Sequence, residues 1–201
     1  FKLQRAITAA HEGILDSQEM VQTWLFVGPP GSGRSIMALA FAKGLLCKKG
    51  GCGQCDSCKT VDATTHLDLE YFKRDGLSIK VDEVRELIGR ASYQPTSAPF
   101  RVIIVEDADR LTESAANALL KAIEEPGNRT VWILCAPTLA DVLPTIRSRA
   151  RTLALQTPTT NEIIEILECE GFTNLESKTA ALISLGHIGR ARLPSLIHIS
   201  E

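Results

Sequence analysis

The sequence predicts an α/β fold: a parallel sheet covered by helices, built on a phosphate-binding P-loop, with a zinc-binding insert and a small helical domain after the sheet. Three observations carry this. Short apolar runs alternate with helical patterns, and such alternation implies a parallel sheet with both faces covered. The first of these runs, TWLFV, leads into a glycine-rich stretch, GPPGSGRS, at 28–35. Four of the six cysteines crowd into residues 47–58.

The elements follow in order. The opening residues, FKLQRAITAAHEG, lack the architecture of a signal peptide and read as an amphipathic helix. TWLFVG (23–28) is a strand entering the glycine loop. Residues 34–46 form a helix with Ile36, Leu39, Ala40 and Ala42 on or near one face. The cysteine module follows, its small polar spacers suited to tight turns. LDLEYF (67–72) alternates and reads as a strand. VDEVRELIGRAS (81–92) places Val81, Val84, Leu87 and Ile88 at helical spacing. RVIIVEDA (101–108) is a buried-strand signal. TESAANALLKAIEEP (112–126) starts at a Thr cap and stops at Pro126. TVWILCAP (130–137) is a further buried strand and RTLALQ (151–156) a last, shorter one. Beyond QTPTT the strands cease, and 161–199 gives two or three short helical patterns.

Composition narrows the function classes. The chain has 201 residues, 44% hydrophobic and 23% charged, which suits a soluble domain with a small second one. A net charge of −2 provides no global basic field for nucleic acid. No run reaches the ~18 apolar residues of a membrane span. Without an export signal, clustered cysteines point to metal in a reducing cytosol rather than to disulfides.

The loop GPPGSGRS nearly fits G-x-x-x-x-G-K-[ST]. Such a loop turns backbone N–H groups and a helix N-terminus toward phosphate oxygens. Gly28, Gly31 and Gly33 permit that path, and Ser35 would put its hydroxyl on Mg²⁺. Arg34 stands where a lysine is expected. It keeps the charge but brings a planar fork where the site needs a compact point charge. A hydrolytic site also ends its acidic strand with Asp-Glu. Here VIIVEDAD offers Glu106-Asp107, the reverse order with a shorter base. Acidic residues after a buried strand also serve as helix caps or turn residues. Two departures in two independent elements argue together for lost hydrolysis. A vestigial loop of this kind binds nucleotide weakly or not at all, and whether ATP or ADP is held without turnover stays open.

Cys47, Cys52, Cys55 and Cys58 are spaced C-x4-C-x2-C-x2-C. Four thiolates suit tetrahedral Zn²⁺, and a closed four-Cys site is structural, with no open position for water. The bland alternative is four free thiols in a loop. Read instead as a DNA- or protein-binding finger, the segment has Lys48, Lys49 and Lys59 but no aromatic residue for stacking. Cys135 and Cys169 read as bystanders.

These pieces, in this order, resemble the bacterial clamp-loader branch of the AAA+ ATPases. The P-loop, the cysteine insert, SIKVDEVRELIGRASYQP (78–95), SAANALLKAIEEP (114–126) and LPTIRSRAR (143–151) carry the resemblance, over roughly residues 1–193. The altered P-loop looks like the delta-prime type of that branch rather than the gamma/tau type. The resemblance implies a ring with delta and gamma/tau subunits that opens the sliding clamp and places it on primed DNA, with no membrane partner. The delta-prime type is its stator, which need not hydrolyse ATP. The resemblance gives Arg149 a role: an arginine finger reaching the neighbour's ATP. Ser148-Arg149 match the family's Ser-Arg-Cys motif, with Ala150 in place of cysteine and Arg147 and Arg151 flanking. Without the resemblance, the same cluster reads equally as cations at a helix end. In GHIGRAR, Gly189 falls where an active member has arginine, with Arg190 and Arg192 nearby. The first cysteine gap is shorter than the family's usual one. The other reading is a gamma/tau-type subunit that itself binds and hydrolyses ATP.

The expected organisation is a core over 1–157 with the zinc module inserted, a helical lid over 158–201 and no collar domain. The final LPSLIHISE reads as foreign to the family pattern.

Overall fold

The computed structural model describes residues 22–74, 76–127 and 129–192. The helix expected over the first residues and the final LPSLIHISE lie outside them. The described residues divide into two compact units, one of 22–27 with 35–153 and one of 28–34 with 154–192.

The first unit holds the sheet. Its strands are β1 (Thr23–Val27), β2 (Leu69–Phe72), β3 (Arg101–Val105), β4 (Thr130–Ala136) and β5 (Arg151–Ala154), in the order β2-β3-β4-β1-β5. The pairs β2–β3, β3–β4 and β1–β4 are parallel, as the alternation predicts. β1, β3 and β4 are buried along their whole length, which is why they read as continuous apolar runs rather than alternating ones.

Helix α1 (Arg34–Leu46) follows the glycine loop, and its buried face differs from the expected one. Met37, Ala38, Phe41, Ala42 and Leu45 are buried, while Ile36 is 37% exposed. The buried set repeats at three and four residues around Phe41, whose ring packs against Trp24 and Phe26 at centroid distances of 5.0 and 5.9 Å. Apolar residues surround this helix, so spacing alone does not choose the face.

Helix α2 (Asp56–Asp62) starts in the last spacer of the cysteine module, which reads from sequence as a turn, and runs past Cys58. Helix α3 (Val81–Ala91) buries Val84, Leu87 and Ala91, with Val81 and Ile88 packed at the core's edge. Helix α4 (Glu113–Glu124) starts as the sequence predicts, the Thr112 hydroxyl accepting from the Ala115 N–H at 3.3 Å. Helix α5 (Pro144–Arg147) is a single turn.

Buried Asp68 ties down the loop before β3. Its carboxylate accepts from the N–H groups of Thr96, Ser97 and Ala98 at 2.6, 2.8 and 2.9 Å, and from the Ser97 hydroxyl at 2.7 Å. Burial acts to raise the carboxyl's pKa, and these donors outweigh it, so the group sits below its ordinary value.

In the second unit, α6 (Thr160–Cys169), α7 (Asn174–Ser184) and α8 (Ile188–Ala191) enclose a small core of Ile163, Leu167, Ala180, Ala181 and Ala191. Capping boxes start the first two: Thr159 with Glu162, and Thr173 with Glu176.

Candidate functional site

The glycine loop between β1 and α1 belongs, through Arg34, to the second unit. Its path depends on glycine at defined points. Gly31 has φ +89°, and a Cβ there would come within 2.8 Å of the Cα and Cγ of His187. His187 sits directly before α8, where its Nδ1 accepts from the Arg190 N–H at 3.2 Å. A Cβ on Gly28 would meet the Leu155 carbonyl at 2.8 Å. Arg34 turns back on the loop, its Nη1 donating to the Gly28 carbonyl at 2.7 Å. In the helical part of this unit, Arg192 is paired with Glu170, its Nε at 3.0 Å from Oε2.

In the first unit, Ser35 and Glu106 flank a residue that the motif reading did not single out, Tyr71. Glu106 directly follows β3 and is buried, and its N–H continues the ladder to the Phe72 carbonyl at 2.9 Å. The register pairs Tyr71 with Ile104, so Glu106, two residues on, faces the same side. The Tyr71 hydroxyl donates to Glu106 Oε1 at 2.7 Å. Burial, then the bond and charge of Glu106, hold the phenol above its ordinary pKa, so it stays neutral, while the Ser35 hydroxyl is a second hydrogen-bonding neighbour acting the other way. Asp107 is left-handed, at φ 52° and ψ 50°, and caps a 3₁₀ turn at Ala108–Arg110. Its carboxylate lies 3.7 Å from Arg110 Nη1.

Arg149 is exposed, just past α5. Its Nη1 donates to the Thr145 carbonyl at 3.0 Å and to the Ser148 hydroxyl at 3.2 Å, and its Nε lies 2.5 Å from Glu124 Oε1. Arg151 does not join it: on β5, its guanidinium stacks over Trp24, 5.2 Å from the ring centroid.

The four clustered cysteines come together. Their sulfurs all lie within 4.8 Å of one another, with close pairs at 3.5 Å (Cys55–Cys58), 3.6 Å (Cys47–Cys55) and 3.8 Å (Cys47–Cys52). Four sulfurs at ~2.3 Å from a tetrahedral zinc stand about 3.8 Å apart, so the set fits that ion. The N–H groups of Lys49 and Gly53 point at the sulfurs of Cys47 and Cys58, at 3.4 and 3.3 Å. Burial acts to raise the Cys47 pKa, but backbone N–H groups of Cys52, Lys49 and Gly51 overcome it and lower it to about 6, whereas burial pushes Cys58 up to about 12. The cluster could hold a metal. Buried Cys135 and exposed Cys169 stand outside it.

Tyr71, His187 and Glu124 escape a motif reading because none belongs to a phosphate-loop or finger signature. Only the β2–β3 register could have drawn attention to Tyr71.

A family profile described as "DNA polymerase III, delta subunit" matches residues 3–159. The chain is 34% identical over 145 residues to "DNA polymerase III subunit delta'" of Bacillus subtilis, covering 71% of this chain and 44% of that protein. It is 36% identical over 151 residues to "DNA polymerase III subunit gamma/tau" of Mycobacterium tuberculosis, covering 73% and 26%. The chain thus spans less than half the length of either relative. Among solved structures, a DNA polymerase III gamma subunit-related protein from Thermotoga maritima matches with TM-score 0.61 at 23% identity, over 92% of this chain and 57% of that one. That likeness speaks for the fold alone. Among the described residues, no helix is long and apolar enough to cross a membrane.

Proposed function

This chain belongs to the family described as DNA polymerase III, delta subunit, and from that premise we propose that it is the delta-prime-type stator of a bacterial clamp loader. In this reading it does not hydrolyse ATP. It donates Arg149 to the ATP site of a gamma/tau neighbour and works in the cytoplasm with that neighbour, delta, the sliding clamp and primed DNA. One contrast carries the reading. Glu106, where a nucleotide would be cleaved, is buried and bonded within the protein, while Arg149, though paired with Glu124, is exposed at the surface. Arg34 lies on the Gly28 carbonyl, and Glu106 is held by Tyr71. A guanidinium supplied in trans stabilises charge on the transferring phosphoryl group. The cysteine cluster is read as structural zinc, stabilising the insert without chemistry of its own. The helical second unit is read as the lid.

The second reading, a hydrolysing gamma/tau-type subunit, is favoured by the similarity to relatives of that name. The two part in one experiment. A loader assembled with Arg149→Ala in this chain should keep its composition and lose clamp loading, while Arg34→Ala has little effect. The opposite result selects the gamma/tau reading.

A further inference from the structure

A magnesium ion is what this fold's chemistry calls for between the loop serine and the acidic strand end. The residues present do not fit it. Glu106 is 7% exposed, and a carboxylate taken that far from water needs a compensating group. In a working site, the ion and its waters provide it. Here the donor is Tyr71, 2.7 Å from Oε1.

We propose that the hydroxyl of Tyr71 stands in for the magnesium ion between Ser35 and Glu106, and that this substitution keeps divalent metal out of the site. The register fixes it there. Tyr71 pairs with Ile104 across β2–β3, and Glu106 is the next residue on that face. The phenol hydroxyl donates a hydrogen bond to the carboxylate, and the Ser35 hydroxyl is a further hydrogen-bonding neighbour. Mg²⁺ needs near-octahedral oxygen ligands at about 2.1 Å and keeps several waters. A neutral phenol already bonded to one of the two expected anchors takes up that space. It also competes with a cation for the carboxylate oxygen, because the buried Glu106 already has a hydrogen-bond donor. The inference rests on the reading of a non-hydrolysing chain and adds a cause that Arg34 and the Glu106-Asp107 order do not supply: the metal half of the site is closed from within.

The test is Mn²⁺ binding to the full zinc-loaded chain without nucleotide, followed by water-proton relaxation. The parent should show no Mn²⁺ site that depends on Glu106. Tyr71→Phe strips the donor from a buried carboxylate and should bind Mn²⁺ about tenfold more tightly or better, the scale of one hydrogen bond to a charged group. Tyr71→Phe with Glu106→Gln should lose that gain. The inference is overturned if Tyr71→Phe binds no more tightly than the parent, or if the parent already binds Mn²⁺ with an affinity that Glu106→Gln lowers. Should Tyr71→Phe fail to fold, the unmodified chain still decides. Mg²⁺ should leave its tyrosine ultraviolet difference spectrum flat, and a saturable Mg²⁺ signal abolished by Glu106→Gln would sink the idea. Neither nucleotide nor partner subunit enters these measurements, so their failure is separate from a failure of the Arg149 experiment.

Discussion

The guanidinium of Arg149, just beyond α5, is paired with Glu124, the last residue of α4, with Nε 2.5 Å from Oε1. Both side chains are 41% exposed, so water screens the pair and its share of folding stability is under about 1 kcal/mol. If Arg149 is donated to a neighbour as proposed, the pair serves to aim it. With Thr145 and Ser148, Glu124 holds the guanidinium at the end of the short helix. Glu124→Gln should leave the melting temperature of the chain nearly unchanged and lower clamp-stimulated ATP turnover of an assembled loader, less severely than Arg149→Ala. Turnover equal to the parent's would mean that Thr145 and Ser148 suffice.

The chain alone should show negligible ATP turnover. Arg34 on the Gly28 carbonyl and Tyr71 on Glu106 are independent defects, and misplacing a catalytic group by about 1 Å can cost ~10²-fold. The check is steady-state phosphate release beside a Gly33→Asp control. Turnover that the control abolishes would mean that the loop works.

Zinc should be found at about one per chain, and thiol counting should locate it. The chain has six cysteines. In the native, zinc-loaded protein only exposed Cys169 should react promptly, because Cys135 is buried and the other four hold the metal. A chelator should release the four clustered thiols, and denaturant the last. Four promptly reactive cluster thiols before chelation would exclude the site.

Asp68 predicts an acid limb in stability. Its folded pKa lies below its unfolded value, which is about 3.9. Its contribution is therefore complete above that unfolded value and is lost as pH falls through the folded one. Asp68→Asn replaces an acceptor facing several N–H donors with an amide that is itself partly a donor. It should cost about 2–3 kcal/mol near neutral pH and flatten the acid limb. Denaturant unfolding at a series of pH values measures both, and an unchanged acid limb would show that other carboxylates set it.

Gly31 and Gly33 separate backbone strain from collision. Their φ values are +89° and +86°, so alanine is strained at either. At Gly33 a Cβ meets nothing within 4 Å, whereas at Gly31 it meets the backbone of His187 at 2.8 Å. Gly33→Ala should cost about 1 kcal/mol and Gly31→Ala clearly more. Equal costs in thermal unfolding would remove the His187 contact from the account.

By itself the sequence determined the order of the strands and of the longer helices between them, the parallel sheet and the metal-ready cysteines. These are local matters: the continuous apolar runs of β1, β3 and β4, the Thr112 cap, the stop at Pro126, and four ligands within twelve residues. Tertiary structure decided which face of α1 is buried, since apolar residues line more than one side and Trp24 and Phe26 pack on Phe41 while Ile36 stays 37% exposed. It also decided what the site residues touch. Tyr71 and Glu106 are thirty-five positions apart, as are no two members of a local motif, and Glu124 and Arg149 meet only because α4 and α5 end close together. A spacing rule reads neighbours along one element; strand register and helix packing set the neighbours across elements.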